Sequence, residues 1–273
     1  MARRPLLGIL GLLLASALTG CGGGEVAARK DVGPVPETTA KFSEKSLADR
    51  AAVLIALIDS ELASASSARA PRLKFFKAIT PAVVQTQLEI EAERAEVYAI
   101  QEAQKGGAKL PSDLAAELDN LNQRYKSKDP EELLRRVDAV PLDQLFTQTA
   151  IESASGTSAV AKDCFNLFGV HAADKSQSCP GHPILAKYPD FTGSIKRYVL
   201  LLNSGGAFKN YRALRAKSRA SVGNSGALDT PSILPGILPY SERGQAYIDD
   251  VAAGIRADHL DQLYREFVSR IAP

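Results

Sequence analysis

The chain has 273 residues, a formal net charge of +2, no Trp and only 6% aromatic residues. That length holds one sizeable domain, or one domain with a small helical prefix. The near-balanced charge calls for no polyanion, so no nucleic-acid partner is expected, and the abundant alanine suits a helical protein. At the start, Arg3 and Arg4 precede an apolar run from Leu6 to Leu18 that is broken only by small residues. A positive start and a short apolar core have the layout of a secretory signal. The run is too short to span a bilayer as a stable helix.

The run ends in Leu18-Thr19-Gly20-Cys21, which resembles the bacterial lipobox. There a cysteine behind a small residue is acylated and becomes the new N-terminus. On this reading residues 1–20 are a lipoprotein signal peptide and Cys21 takes the lipid that ties the chain to a membrane. An ordinary signal peptide with a chance cysteine is the alternative. Gly22 in place of Asp, by resemblance to lipoprotein sorting in Gram-negative bacteria, favours the outer membrane, with the protein facing the periplasm. Residues 21–40 read as a tether: Gly22, Gly23 and Gly24 give flexibility, and Pro34 and Pro36 favour extended backbone.

A helical prefix is expected over 41–70 and the main domain over 71–273. In the prefix Leu47, Ala51, Leu54, Ile55 and Ile58 recur at helical spacing, and an Ala/Ser-rich break follows at 63–70. A second helical pattern runs from Leu73 to Gln104, with Pro81 inside it as a start or kink, and ends at Gly106-Gly107. Pro111-Ser112-Asp113 opens a helix carrying Leu114, Leu118 and Leu121. Asp129-Pro130-Glu131-Glu132 reads as an N-cap, a first-turn proline and two acids that suit the helix dipole. Pro141 starts a helix with Leu142, Leu145, Phe146 and Thr149 on one face. Residues 154–193 lack helical period and suit a small β element or long ordered loop. Helix returns over Ser194–Asn203, residues 221–238 read as a surface loop, and a single last helix is expected from Gln245 to Ile271.

Cys164 and Cys179 remain as a pair in an exported, oxidising setting, where a disulfide is the plain reading. With His171 and His182 they also make four zinc-competent ligands in a short stretch, but the spacing matches no compact zinc pattern. Two free thiols are the third reading.

The segment richest in chemistry is Glu152-Ser153 followed by Gly156-Thr157-Ser158. Glu152 lies seven residues after Leu145 and three after Thr149, which on a helix sets it on the apolar side. A carboxylate there, beside the helix stop at Gly156, faces a cleft or core. Partial burial raises a carboxylate pKa, which is what a general acid needs. A solvated helix-end glutamate is the other reading of the same spacing.

Glu152-Ser153, Gly156-Thr157-Ser158 and Asn166-Leu167-Phe168-Gly169-Val170 together resemble the signature of the bacterial glucosaminidase family, glycoside hydrolase family 73, in its Bax-type branch. The likeness extends upstream to Arg136-Val137-Asp138-Ala139-Val140-Pro141. Downstream it takes in Ser194 to Tyr198, Leu201-Leu202-Asn203, Tyr211-Arg212 with Arg215, and Tyr240-Ser241-Glu242-Arg243-Gly244 with Tyr247. It covers roughly residues 71–268. The resemblance implies a mainly α (α+β) fold: a lysozyme-like helical lobe with a small β-lobe or ordered loop region around 160–193. It implies a peptidoglycan hydrolase, an endo-β-N-acetylglucosaminidase acting on glycan strands, with no cofactor and no metal. Glu152 would be the catalytic acid. Tyr240, with Tyr247 as second choice, would match the active-site tyrosine. Ser153, Asn166, Phe168, Tyr198 and Tyr247 would contact substrate.

The second carboxylate usual in glycoside hydrolysis is not identifiable; Asp174 and Asp190 lie in the right region but in no motif. The chain also departs from the family. Ser155 stands where an aromatic is expected, and Cys164-Phe165 replaces the usual Gly-Asn. Two other readings remain. A lytic transglycosylase also uses a lone Glu-Ser on a lysozyme-like helix, though Gly-Leu-Met-Gln normally follows there. A non-catalytic glycan-binding lipoprotein is the other, which Ser155 keeps open.

Overall fold

The computed structural model describes residues 43–105, 107 and 109–272. The signal peptide, Cys21 and the tether read from the sequence lie outside them. Among the described residues the protein is mainly α, with one small two-stranded sheet. No described helix is long and apolar enough to cross a membrane.

Helix α1 (Glu44–Ala63) starts at Ser43, whose side chain accepts from the Ser46 N–H. Its buried residues Leu54, Leu57 and Ile58 belong to the same apolar core as those of α2 (Ala70–Lys105). Helix α2 runs through Pro81 without a break. A proline removes one helical hydrogen bond. Here Phe76 and Ile79 before it and Val83 and Val84 after it are all buried, so packing on both sides holds the helix. Helix α3 (Ser112–Tyr125) follows, then α4 (Pro130–Arg136), capped as its sequence suggests: Asp129 accepts from the Glu132 N–H at 2.6 Å.

The centre of the molecule is α5 (Leu142–Ser153), buried along almost its whole length. After it come a short α6 (Ala159–Cys164), a 3-10 turn at Lys175–Gln177 and an antiparallel pair, β1 (Ser178–Cys179) and β2 (His182–Ala186). A disulfide joins Cys164 at the end of α6 to Cys179 on β1. Helix α7 (Phe191–Ser204) is capped by Asp190, which accepts from the Thr192 and Gly193 N–H groups. Helices α8 (Lys209–Val222), α9 (Thr230–Ile233), α10 (Gln245–Ala257) and α11 (Leu260–Ile271) complete the chain. Helix α5 packs against α2, α10 and α11.

Two expectations from the sequence are corrected here. Residues 221–238 are not simply a surface loop: α9 and a 3-10 stretch at Leu234–Tyr240 bury Ile233, Leu234 and Ile237. Prolines set at the first turns of these short helices begin them rather than exclude them. Gly236 lies so near α8 that a Cβ there would fall 2.3 Å from the Tyr211 Cα. The single last helix is in fact two. His259 takes a left-handed φ of 55°, and the Asp258 carboxylate before it is bound by Arg72 at 2.7 Å. A non-glycine residue in that conformation cannot continue a right-handed helix.

Buried arginines fasten α4 and α8 together. Arg215, fully buried on α8, donates to the Arg135 carbonyl at the end of α4 and to Asn203 Oδ1 of α7 at 2.7 Å. Burial alone would push the Asp138 pKa up, but Arg215, Arg219 and Arg94 around it hold it below the usual carboxylate range.

Asp143, in the first turn of α5, has the opposite balance. It accepts from the Thr230 hydroxyl at 2.7 Å and the Gln144 N–H at 2.8 Å, yet burial outweighs both and pushes its pKa up to about 6. The folded state therefore holds this proton more tightly than the unfolded chain does. Its stabilising contribution is full below the unfolded aspartate value of about 4 and is lost as pH rises through 6. Asp138 is common to wild type and an Asp143 variant, so its own contribution cancels from their difference. Asp143→Asn should thus gain stability over wild type, by up to about 3 kcal/mol, as pH goes from 4 to 7. Urea denaturation at several pH values measures this, and a stability difference that does not vary across the window refutes it.

Candidate functional site

Glu152 occupies the last turn of α5 and is half-buried. The Tyr247 hydroxyl, from α10, donates to its Oε1 at 2.7 Å. Behind that contact lies a set of buried polar side chains. Gln148 Nε2 donates to the Tyr247 oxygen at 3.1 Å, and Gln144 Nε2 donates to Gln148 Oε1 at 2.9 Å. The Tyr198 hydroxyl also donates to Gln148 Oε1, and the Tyr211 hydroxyl donates to Gln144 Oε1 at 3.1 Å. Gln144, Gln148 and Glu152 are spaced one helical turn apart and so lie along one side of α5.

Four aromatic rings wall this face. Phe168 stacks on Tyr198 with centroids 4.1 Å apart and planes 6° from parallel. Tyr240 meets Tyr198 edge-on at 5.7 Å and lies 5.4 Å from Tyr247. Burial, and after it the Glu152 charge, pushes the Tyr247 pKa up, so this phenol keeps its proton across the physiological range. Burial does the same for Tyr198 and Tyr211.

The chain leaves α5 through an unusual turn. Ala154, Ser155 and Gly156 all have left-handed φ, at 51°, 54° and 75°. For the first two residues this stores strain of order 1–3 kcal/mol each, a cost characteristic of functional sites. The turn is held from below: Ser153 Oγ donates to the Thr149 carbonyl at 2.6 Å and accepts from the Gly156 N–H at 2.8 Å. Beside it, Ile151, Ser155, Thr147 and Asp250 line a cavity of about 360 Å³.

The residues expected from the sequence therefore divide. Glu152, Tyr240, Tyr247, Tyr198 and Phe168 come together. Ser153, Asn166, Phe168 and Tyr198, expected on substrate, lie beneath the surface with 2% exposure or less. Tyr240 and Tyr247 are covered almost as fully, at 4% and 3%. Asn166 instead spends its amide on the backbone, donating to the Val170 and Ala186 carbonyls and accepting from the Val170 N–H. It ties the loop after α6 to β2. Asp174 and Asp190 both cap helical turns. Gln144 and Gln148 were missed, since a reading by apolar period passes over glutamine.

These features gather one carboxylate, three tyrosines and two buried glutamines at the end of α5, and comparison with known proteins bears on the same stretch of chain. The family model described as Glucosaminidase, mannosyl-glycoprotein endo-beta-N-acetylglucosaminidase, matches residues 127–255, a span that holds Glu152, Tyr240 and Tyr247. Protein bax of Escherichia coli (strain K12) is 28% identical over 190 residues, covering 65% of this chain. The chain spans 66% of that relative's length. Over these residues the chain is thus similar to the glucosaminidase family and to Protein bax. No solved structure matches the chain.

The tight turn after Glu152 generates a stability test. A Cβ on Gly156 would fall 2.6 Å from the Phe75 ring, on a backbone with φ of +75°. Gly156→Ala should therefore destabilise the protein by about 2 kcal/mol or more. Denaturant unfolding measures it; a variant as stable as wild type would show that the turn is not strained.

Proposed function

We propose that this protein is a peptidoglycan N-acetylglucosaminidase, displayed as a lipoprotein on the outer membrane of a Gram-negative bacterium and facing the periplasm. The observation that carries the catalytic part is the Glu152–Tyr247 pair at the end of the buried α5. Glu152 is the general acid that protonates the leaving glycosidic oxygen. The Tyr247 hydroxyl stabilises the carboxylate left after that transfer, since a hydrogen bond to a charged oxygen is among the stronger ones. Tyr240 orients water or the substrate acetamido group.

Glu152→Gln keeps the size and hydrogen bonding of the side chain but has no proton to give. It should lower muropeptide release from purified sacculi by about 10²–10⁴-fold, with an unchanged circular dichroism spectrum. Tyr240→Phe should cost less. Mass spectrometry of the products identifies the chemistry: N-acetylglucosamine reducing ends support this reading, and anhydro-muramyl ends mark a transglycosylase. A folded Glu152→Gln that cuts as fast as wild type rules out the assignment, and a wild type inert on every sacculus makes the protein a glycan binder.

The anchor rests on the lipobox at Leu18-Thr19-Gly20-Cys21. Cys21→Ser should release soluble protein or leave unprocessed precursor. Membrane fractionation and processing identical to wild type would exclude acylation at Cys21.

A further inference from the structure

Two glutamines lie on α5, a helix buried along almost its whole length. Gln144 and Gln148 are fully buried. A buried amide stabilises nothing unless its hydrogen bonds are made, and an apolar side chain of equal size fills the same space at lower risk. Here every bond runs one way. Tyr211 donates to Gln144, Gln144 to Gln148, Gln148 to Tyr247, and Tyr247 to Glu152. Tyr198 adds a second donor onto Gln148 Oε1. With two donors on its carbonyl, Gln148 turns its NH₂ towards Tyr247. An amide nitrogen can only donate, so it takes a lone pair of the Tyr247 oxygen. The single proton of that phenol is then directed to Glu152 Oε1.

We propose that Gln148, backed by Gln144 and Tyr211, is a positioning residue that fixes the proton direction at the acid. It does so by holding Tyr247 as a donor to Glu152 Oε1. This rests on Glu152 being the acid of the proposed reaction. The chain also polarises the phenol: each donor that accepts a bond becomes a stronger donor. Gln148 therefore acts on Glu152 only through Tyr247, which separates this role from simple packing.

The test is a double-mutant cycle on the full mature chain, using Gln148→Met, Tyr247→Phe and the two combined. The first readout is the titration of the Glu152 carboxyl carbon by ¹³C NMR, which needs no turnover. Loss of a polarised donor disfavours the carboxylate, so the Gln148→Met midpoint should move up by about half a pH unit. In the Tyr247→Phe background the same substitution should add nothing. The second readout is sacculus digestion, where Gln148→Met should lower kcat about tenfold with KM unchanged. Gln144→Met, one link further back, should shift the midpoint the same way by less, and serves if Gln148→Met does not fold. An unmoved midpoint in Gln148→Met overturns the proposal, as does an equal shift with Tyr247 present or absent. Because the titration is independent of cleavage, a wild type without glycosidase activity would end the enzymatic reading while the cycle still decides whether Gln148 directs this proton.

Discussion

The structure depends on the enclosure of α5. A helix buried on nearly every side can satisfy its backbone and its hydroxyls internally, as Thr149 and Ser153 do, but its carboxyl and amide side chains must find partners in the surrounding elements. Asp143 finds Thr230 of α9, Gln144 finds Tyr211 of α8, Gln148 finds Tyr198 of α7, and Glu152 finds Tyr247 of α10. The partners come from four separate elements that follow α5 in the chain. The polar side of one helix thus sets where the second half of the protein must pack, and the residue at its open end inherits that order.

The hydrophobic effect supplies the cohesion that makes this possible. Leu145 and Phe146 of α5 are fully buried, and Phe146 stacks on Phe76 of α2 at 5.0 Å. Around them α1, α2 and α11 share one apolar cluster with α5. Charged groups are drawn into the same interior where they serve α4, whose terminal carbonyls are met by Arg215 and Arg94. Cations at the end of a helix oppose its negative pole, which offsets part of the penalty of burying them.

Elements that announce themselves by capping or by apolar period were legible in the sequence. Asp129-Pro130 marked α4, and Leu142, Leu145 and Phe146 marked α5. Helix α8 was not, because its buried side is Tyr211, Arg212, Arg215 and Ser218: the helical spacing is there but the residues are polar. The 221–238 stretch misled for the opposite reason, since prolines and glycines that resemble a loop here start short buried helices. In the site, Glu152 was found by spacing and resemblance together. The contact of Tyr247 with Glu152 arises from the approach of α10 to α5, which is a tertiary fact. The glutamines carried no signal, because amides enter neither apolar patterns nor the usual inventory of reactive groups.

Ser155 makes the most sense when seen on its backbone. It is the second of three consecutive left-handed residues, and a large side chain is poorly suited to that conformation, whereas small polar residues are more tolerant of it. The turn must keep this shape, for Gly156 lies directly against Phe75 and Ser153 holds its N–H from below. A serine at 155 therefore lowers the strain of the segment that ends α5, and presents less apolar surface than an aromatic would. Ile151, one turn earlier on the rim of the same cavity, is 38% exposed and supplies apolar surface there. The exchange at 155 thus changes the apolar surface at the rim of that cavity. The hydrogen bonds that support the Glu152 carboxylate run through Tyr247, Gln148 and Gln144 and do not include Ser155.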